Sequence, residues 1–389
     1  MNLLSIQYSN PRNPHARGGV WRNLHEAFRI LAPDNEIQCW TGHNGGQPSP
    51  WMQDGVRYVR ISAGGSRYAD RLSFTVFASA RRISAPDVVI LVWDRYAPVV
   101  RPVSRHIPVV LELHNGFLHS TGAGGPLDMV SRFVLKRVLS SSRYLIAVSR
   151  GLLDGALSCA PRVRRRAVIP AGIPDDAGAY EAAANDNGFI LFLGRLDMRQ
   201  KGLDVLLEAY RRSAVSLPLL IAGKGNDEEL VRRMIGDLGL ASRVRMAGWV
   251  EGGAKRRLLE ECRLVCMPSR YEGWGTVALE AGAAGKPVLA TRVVGLEEAV
   301  QDGVTGILVE KDDIGGLSEA IRRLAADTEL CRRLGAGGRI RSREFTYSRL
   351  AEQRRTFLKE VIEDFKGTRD ADADADAAAA TSPQAGRFR

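Results

Sequence analysis

The strongest constraint on the fold is a rhythm that runs along the chain, pauses once and starts again. Short apolar runs alternate with stretches of helical period. In the first part the apolar runs are Leu3-Leu4-Ser5-Ile6 and residues 56–61, 88–92, 109–113 and 145–148. Helical stretches lie between them, at 20–31, where Trp21, Leu24, Ala27, Phe28 and Leu31 keep helical spacing, and at 127–139. Strands separated by helices build parallel sheets with helices on both faces. The rhythm pauses at Ile173-Pro174-Asp175-Asp176 and a polar, alanine-rich stretch to Gly188. It resumes with strands at 189–193, 219–222, 244–246, 264–267, 288–291 and 306–309, and helices at 202–210, 228–238 and 276–284. The pattern predicts two α/β units, at 1–172 and 189–346, joined by a linker at 173–188. Residues 367–389, with Asp-Ala alternation and a run of four alanines, read as a disordered tail.

A chain of 389 residues is long enough for two such domains. Its 45% hydrophobic and 25% charged residues exclude a disordered chain, a collagen-like chain and a small disulfide scaffold. No apolar run reaches the roughly 18–20 residues of a membrane-spanning helix. The start, Met1-Asn2-Leu3-Leu4-Ser5-Ile6-Gln7, has no basic segment followed by a long apolar one, so no secretory signal is expected. Five cysteines, few and odd in number, suit a soluble protein of a reducing compartment, that is, the cytoplasm. The net charge of +11 is uneven: residues 1–172 carry +12 and residues 173–389 carry −1. The excess points to an anionic partner for the first half, such as a membrane surface, a phosphorylated substrate or a nucleic acid. A solvated, arginine-rich surface is the plainer alternative.

Four loops carry residues fit for binding. Glu272-Gly273-Trp274-Gly275-Thr276-Val277-Ala278-Leu279-Glu280 follows an apolar strand and opens a helix. Gly273 and Gly275 let the backbone turn tightly and approach a ligand. The amides of Gly275, Thr276 and Val277 would be donors at a helix N-terminus, a ready anion site. Glu272 and Glu280, eight positions apart, can accept hydrogen bonds from hydroxyl pairs on different parts of one extended ligand. The alternative is a tight turn with two surface glutamates. The segment from Gly194 to Gly202 lies between a buried strand and a helix, where open α/β sheets bind ligands. Arg195 and Lys201 there can neutralise a diphosphate, or simply be surface cations. Gly18-Gly19 precedes the first helix, a second candidate phosphate loop that lacks the spacing of dinucleotide and Walker motifs. His114-Asn115-Gly116-Phe117 follows the strand at 109–113, where a histidine can meet a ligand, although a lone histidine is more often structural. His119 and Glu112 add no convincing metal set, and Cys262 and Cys266 read as core residues.

Together these segments resemble the family 4 glycosyltransferases, retaining enzymes of the GT-B fold, in which two Rossmann-like α/β domains face each other across a deep cleft. The resemblance covers nearly the whole chain except the tail. It is strongest from Pro268-Ser269-Arg270-Tyr271 through Glu280-Ala281, which is similar to the family's signature of two glutamates with seven residues between them. Gly285-Lys286-Pro287-Val288, the segment 194–204 and Ala222-Gly223-Lys224-Gly225 resemble it as well. The resemblance implies an acceptor-side domain at 1–172, a nucleotide-sugar domain at 189–346 and a helix at 347–366 that returns to the N-terminal domain. It implies that Glu280 binds ribose hydroxyls and Glu272 hydroxyls of the transferred sugar. Arg195 and Lys201 would hold the diphosphate, with Gly18 and Gly19 approaching from the opposite domain. His114 would touch the donor sugar near the reacting carbon, and the backbone near Trp249 and Val250 would meet the base. Gly223, Gly273, Trp274, Gly275 and Thr276 would complete the donor site, and Glu272, His114, Arg195 and Lys201 the catalytic set. Trp274 stands where phenylalanine is commoner, and Pro174 where many relatives have aspartate.

The implied activity is transfer of a sugar from a UDP-, GDP- or ADP-sugar to a glycan or lipid-linked acceptor, in bacterial envelope or exopolysaccharide synthesis. No cofactor and no metal are implied: the Asp-x-Asp runs lie in the tail, at 370–376. Rivals are a nucleotide-sugar epimerase or a phosphorylase on the same fold, the latter without a marked pyridoxal phosphate lysine. A non-catalytic nucleotide- or nucleic-acid-binding protein is a rival of another class, but helix-turn-helix, zinc and basic-aromatic patterns are missing from the sequence. The stretch 127–143 carries Met129, Val130, Phe133, Val134 and Val138 beside Arg132, Lys136, Arg137 and Arg143. Such a helix can rest on anionic lipid at the inner face of a membrane. The alternative is a core-facing helix with a solvated basic side.

Overall fold

A computed structural model describes residues 1–10, 12, 19–43, 45–46, 48–64, 66–80, 86–93, 106–114, 126–180 and 188–381. Among these, the first unit contains β1 (Asn2–Ile6), β2 (Glu36–Thr41), β3 (Trp51–Gln53), β4 (Val56–Arg60), β5 (Val88–Val92), β6 (Val109–Leu113), β7 (Tyr144–Ala147) and β8 (Arg165–Val168). They form one sheet in the order β3-β4-β2-β1-β5-β6-β7-β8. Its neighbours pair in parallel except for the antiparallel β3–β4 pair at one edge. Helices α1 (Gly19–Leu31), α2 (Arg67–Ala80), α3 (Pro126–Ser141) and α4 (Arg150–Leu157) belong to this unit.

The second unit is built from β9 (Ile190–Leu193), β10 (Leu219–Ala222), β11 (Val244–Gly248), β12 (Leu264–Met267), β13 (Val288–Thr291) and β14 (Gly306–Val309). Its sheet is parallel, in the order β11-β10-β9-β12-β13-β14. Its helices are α5 (Met198–Lys201), α6 (Leu203–Ser213), α7 (Glu228–Asp237), α8 (Gly252–Glu261), α9 (Thr276–Ala283), α10 (Leu296–Ala299), α11 (Ile314–Ala326) and α12 (Thr328–Ser342). A last helix, α13 (Tyr347–Thr381), follows.

Burial explains why these strands read as apolar runs. β5 is Val-Val-Ile-Leu-Val and is buried at every position, because a parallel strand is covered on both faces. Alternation sorts the side chains. Leu4, Ile6, Val89 and Leu91 join Phe74, Leu135 and Leu139 on the α2–α3 side. Leu3, Val88 and Ile90 join Leu24, Phe28 and Leu31 of α1, with Leu358 and Val361 of α13, on the other. Truncating a filled position such as Leu358 to alanine costs ~2–5 kcal/mol.

The chain crosses between the units twice, and the crossings lie side by side. Ile173 N donates to Phe345 O and Tyr347 N to Ile173 O, both at 2.9 Å. After the second crossing α13 packs on the first unit, so the end of the chain completes the core that its beginning started. The helical backbone runs through Thr381, into the stretch expected to be a disordered tail. Alanine has the highest helix propensity, and here it extends a helix already started by packing. Residues 382–389 lie outside the described residues. A second tie joins the units: the Glu298 carboxylate accepts from Arg150 N and Gly151 N, each at 2.8 Å, at the positive end of α4. Among the described residues, no helix is long and apolar enough to cross a membrane.

Candidate active site

The loops at the carboxyl ends of the second sheet are knitted together. Gly194 N donates to Ala222 O and Leu196 N to Lys224 O, each at 3.0 Å, and Gly223 N donates to Gly248 O at 2.7 Å. Arg195, Gly223 and Trp249 are thereby fixed along one edge. Beside them β12 leads through Pro268 into the loop before α9. Gly275 ends that loop with φ 89°, a left-handed conformation that favours glycine, and caps α9. Gly273 lies against the first unit: an added Cβ would collide with the carbonyl oxygen of His114. Glycine at this position lets the two units meet.

Each candidate glutamate is held by a lysine. Glu272 Oε1 accepts from Lys201 Nζ and, at 2.9 Å, from Ser269 Oγ. Arg270 ties the loop down, through a bidentate pair with Asp204 at 3.0 and 2.6 Å and a further bond to Asp312 at 2.6 Å. Eight residues after Glu272, on α9, Glu280 Oε1 accepts from Lys255 Nζ of α8 at 2.5 Å. Glu280 Oε2 is buried and makes no hydrogen bond among the described residues. Tyr180, near the first crossing, senses this carboxylate: burial first, and then the Glu280 charge, push its phenol up to about 12.

Across from this loop, His114 directly follows β6. Its imidazole is buried, with Nε2 2.9 Å from Glu112 Oε1. The Glu112 carboxylate also takes both terminal nitrogens of Arg354 from α13, Nη2 at 2.8 Å. Burial alone would raise the Glu112 carboxyl, but the Arg354 charge and then His114 outweigh it and hold it down at about 2.

The expected site residues thus fall into three groups. Lys201, Glu272, Gly273, Trp274, Gly275, Thr276 and Glu280 share the β12–α9 region, with the His114 main chain against it. Trp274 is buried, its ring 5.3 Å from that of Phe345, so its bulk packs toward the second crossing. Arg195, Trp249 and Val250 lie on neighbouring loops: Arg195 donates to Gln200 Oε1 at 2.6 Å, and Trp249 Nε1 to Glu251 at 3.2 Å. Gly19 opens α1. Gly18, residues 115–117 and His119 lie outside the described residues. Cys262 and Cys266 are core residues, and burial raises both thiols.

Sequence reasoning did not single out Lys255, Ser269, the Arg270–Asp204 pair or the Glu112–Arg354 pair as site residues. Asp204, Ser269 and Arg270 stood inside quoted motifs. Lys255 and Arg354 had no local signal, since the contacts they make join distant parts of the chain. The geometry offers two carboxylates each paired with a lysine ammonium, nearby cations and helix N-terminal amides. Carboxylates so placed can take up hydroxyls, and the cations and amides can take up an oxyanion.

Two doubly wound units meeting at the carboxyl ends of their sheets define the GT-B fold of glycosyltransferases. Sucrose-phosphate synthase from Thermosynechococcus elongatus superposes with a TM-score of 0.80 at 21% identity, covering 94% of this chain and 100% of that one. HepE of Anabaena, solved in complex with UDP-glucose, gives 0.73 at 20% identity, covering 94% and 100%. Residues 179–341 match the family described as glycosyl transferases group 1. Over 260 residues the chain is 31% identical to an uncharacterized glycosyltransferase of Methanocaldococcus jannaschii, covering 66% of this chain and 70% of the relative. The chain belongs to the group 1 glycosyltransferases.

Proposed function

We propose that the protein is a retaining, metal-independent glycosyltransferase that moves a sugar from a nucleoside-diphosphate sugar to a glycan or lipid-linked acceptor in bacterial envelope or exopolysaccharide synthesis. The observation that carries this reading is the pair of lysine-held glutamates, Glu272 and Glu280, on the β12–α9 unit facing His114. Glu280 receives the ribose hydroxyls and Glu272 those of the transferred sugar. His114 lies beside the anomeric carbon, and Trp249 and Val250 border the base. Arg195, Lys201 and the amides that open α9 stabilise the departing phosphate, as a bound metal would elsewhere. The anomeric carbon–oxygen bond breaks with oxocarbenium character. The acceptor oxygen bonds to the same face, and its proton passes to the phosphate oxygen that leaves. Closure of the units excludes water from the reacting carbon.

The acceptor side of the reading rests on α2 and α3. Leu72, Val76 and Phe77 of α2 and Met129 and Phe133 of α3 are exposed large apolar residues, and Lys136 and Arg137 stand exposed beside them. In this reading the face rests on anionic lipid at the cytoplasmic side of a membrane, each basic residue contributing about 1 kcal/mol, screened by salt. Co-sedimentation with anionic vesicles, lost on changing Lys136 and Arg137 to glutamine, supports it; equal binding to neutral vesicles counts against it.

A thermal-shift screen against UDP-, GDP- and ADP-sugars tests the donor. One class should raise the melting temperature, because a ligand at 100 times its Kd stabilises by about 2.7 kcal/mol. Turnover with that donor should survive excess EDTA. The absence of a shift with every nucleotide would sink the reading.

A further inference from the structure

A fully buried ion pair lies behind His114 and has no part in the chemistry above. Glu112 and Arg354 have side-chain exposures of 0% and 1%. They come from β6 and from α13, 242 residues apart. The strands flanking β6 place Val92 and Ile146 next to Glu112, so its polar side-chain contacts come from Arg354 and His114. His114 directly follows β6, two residues beyond Glu112, and the two side chains meet there. Glu112 Oε1 is shared, 2.8 Å from Arg354 Nη2 and 2.9 Å from His114 Nε2.

We propose that Glu112 and Arg354 are positioning residues for His114: the C-terminal helix, through this buried pair, holds a carboxylate oxygen 2.9 Å from the imidazole Nε2, which favours the proton on that nitrogen and leaves Nδ1 as the ring nitrogen open to a ligand. The proposal rests on the reading of His114 as a donor contact. A carboxylate oxygen held this close to one ring nitrogen is repelled by a lone pair there and favours its protonated form, because it can accept a hydrogen bond and cannot donate one. The arginine fork fixes the carboxylate in turn, in a plane and at two oxygens, which a lysine's single ammonium does not. Arg354 lies about two helical turns beyond Tyr347, where the chain re-enters the first unit. Docking of α13 after the second crossing is therefore coupled to the orientation of His114. This gives the returning helix a role in the reaction as well as in the core.

The test uses the full chain and the variants Arg354→Met, Arg354→Lys and Glu112→Gln/Arg354→Met. The double variant leaves no unpaired buried charge, so it tests position apart from folding. Long-range proton–nitrogen spectra, with the His114 signal assigned by His114→Gln, should show a single Nε2–H tautomer in the native protein without any ligand. Arg354→Met and the double variant should lose that signature, and Arg354→Lys should keep part of it. With the donor found by the thermal-shift screen, kcat should fall by roughly 10–100-fold in the double variant, the scale of a slightly misplaced reacting group. Donor KM should change by less than about threefold, since uniform binding is untouched. An unchanged His114 spectrum in both methionine variants overturns the proposal. A changed spectrum with unchanged kcat upholds the positioning and overturns the donor-contact reading of His114 instead.

Discussion

The two walls of the cleft use the same chemistry, a carboxylate held by a cation, in opposite ways. On the first unit the Glu112 and Arg354 side chains are 0% and 1% exposed, and an arginine fork occupies both carboxylate oxygens. On the second unit Lys201 and Glu272 are 16% and 10% exposed, Lys255 and Glu280 20% and 14%, and a single ammonium touches a single oxygen in each. A fully buried pair has no substitute partner, so its geometry is permanent. A half-buried lysine pair can exchange its ammonium for a ligand hydroxyl, because water reaches the lysine that is displaced. In the proposed function the first wall is frame and the second is binding surface, and each of the following experiments bears on that division.

The largest effect should come from breaking the frame. Arg354→Met leaves the Glu112 charge buried with one partner fewer, and stability should fall by about 3–5 kcal/mol in urea titrations. The Glu112→Gln/Arg354→Met double variant should regain most of that loss. If the single variant is as stable as the native protein, the pair is not the fixed element described here.

The binding wall should fail in another manner, with binding lost and folding kept. Glu280→Ala should weaken nucleoside diphosphate binding by roughly 1.5–3 kcal/mol, the range for hydrogen bonds to a charged group. Glu272→Ala should keep that binding and lose turnover, because the proposed function gives it hydroxyl partners on the sugar. Calorimetry with the nucleoside diphosphate separates the two, and the reverse pattern would exchange their roles.

Acid gives a graded version of the first experiment. The Glu112 carboxyl is depressed from 4.5 to about 2 in the folded protein. A depressed carboxyl contributes stability that is present above its unfolded value and is lost as pH falls toward its folded value. The stability difference between the native protein and the double variant should therefore shrink by about 1–2 kcal/mol between about pH 4.5 and 3. A difference that stays constant across that window would show that Glu112 titrates normally.

The same division decided what could be read from the sequence. The second unit was legible because β12, β13 and β14 are short apolar runs set between loops with distinctive residues. The β12–α9 loop was legible because glycines at 273 and 275 and glutamates at 272 and 280 all fall within nine residues. In the first unit, β2 (Glu-Ile-Gln-Cys-Trp-Thr) was not among the expected strands, since polar residues interrupt its apolar run. Edge strand β8 opens with two arginines and has no apolar run at all. The helix α8, which brings Lys255 to Glu280, was not among the expected helices; it begins with two glycines, which weaken a helical signal. The Glu112–Arg354 contact was out of reach for a different reason: neither residue has a local pattern, and only the return of α13 brings them together. Sequence periodicity reports burial of a face, and it carries no address for a partner 242 residues away.

The smallest effect concerns Lys255, and it decides whether that residue belongs to the binding surface or only holds its place. Lys255 Nζ lies 2.5 Å from Glu280 Oε1, while Glu280 Oε2 has no hydrogen bond among the described residues. A carboxylate with one oxygen bound and one bare is poised to take a vicinal hydroxyl pair, and doing so requires the ammonium to swing away. The pair is partly solvated, so Lys255→Met should reduce stability by less than about 1 kcal/mol. Its effect on nucleoside diphosphate binding is a balance. Losing the competitor for Oε1 favours the ligand, and losing a nearby positive charge disfavours it. If Lys255 is a placeholder, these nearly cancel and Kd should move by less than about threefold, or under roughly 0.7 kcal/mol. If it turns instead to the diphosphate, its loss removes a charge-assisted bond, and Kd should rise more than about tenfold. Calorimetry with the nucleoside alone and with its diphosphate distinguishes these outcomes, because only the second ligand offers phosphate to the lysine.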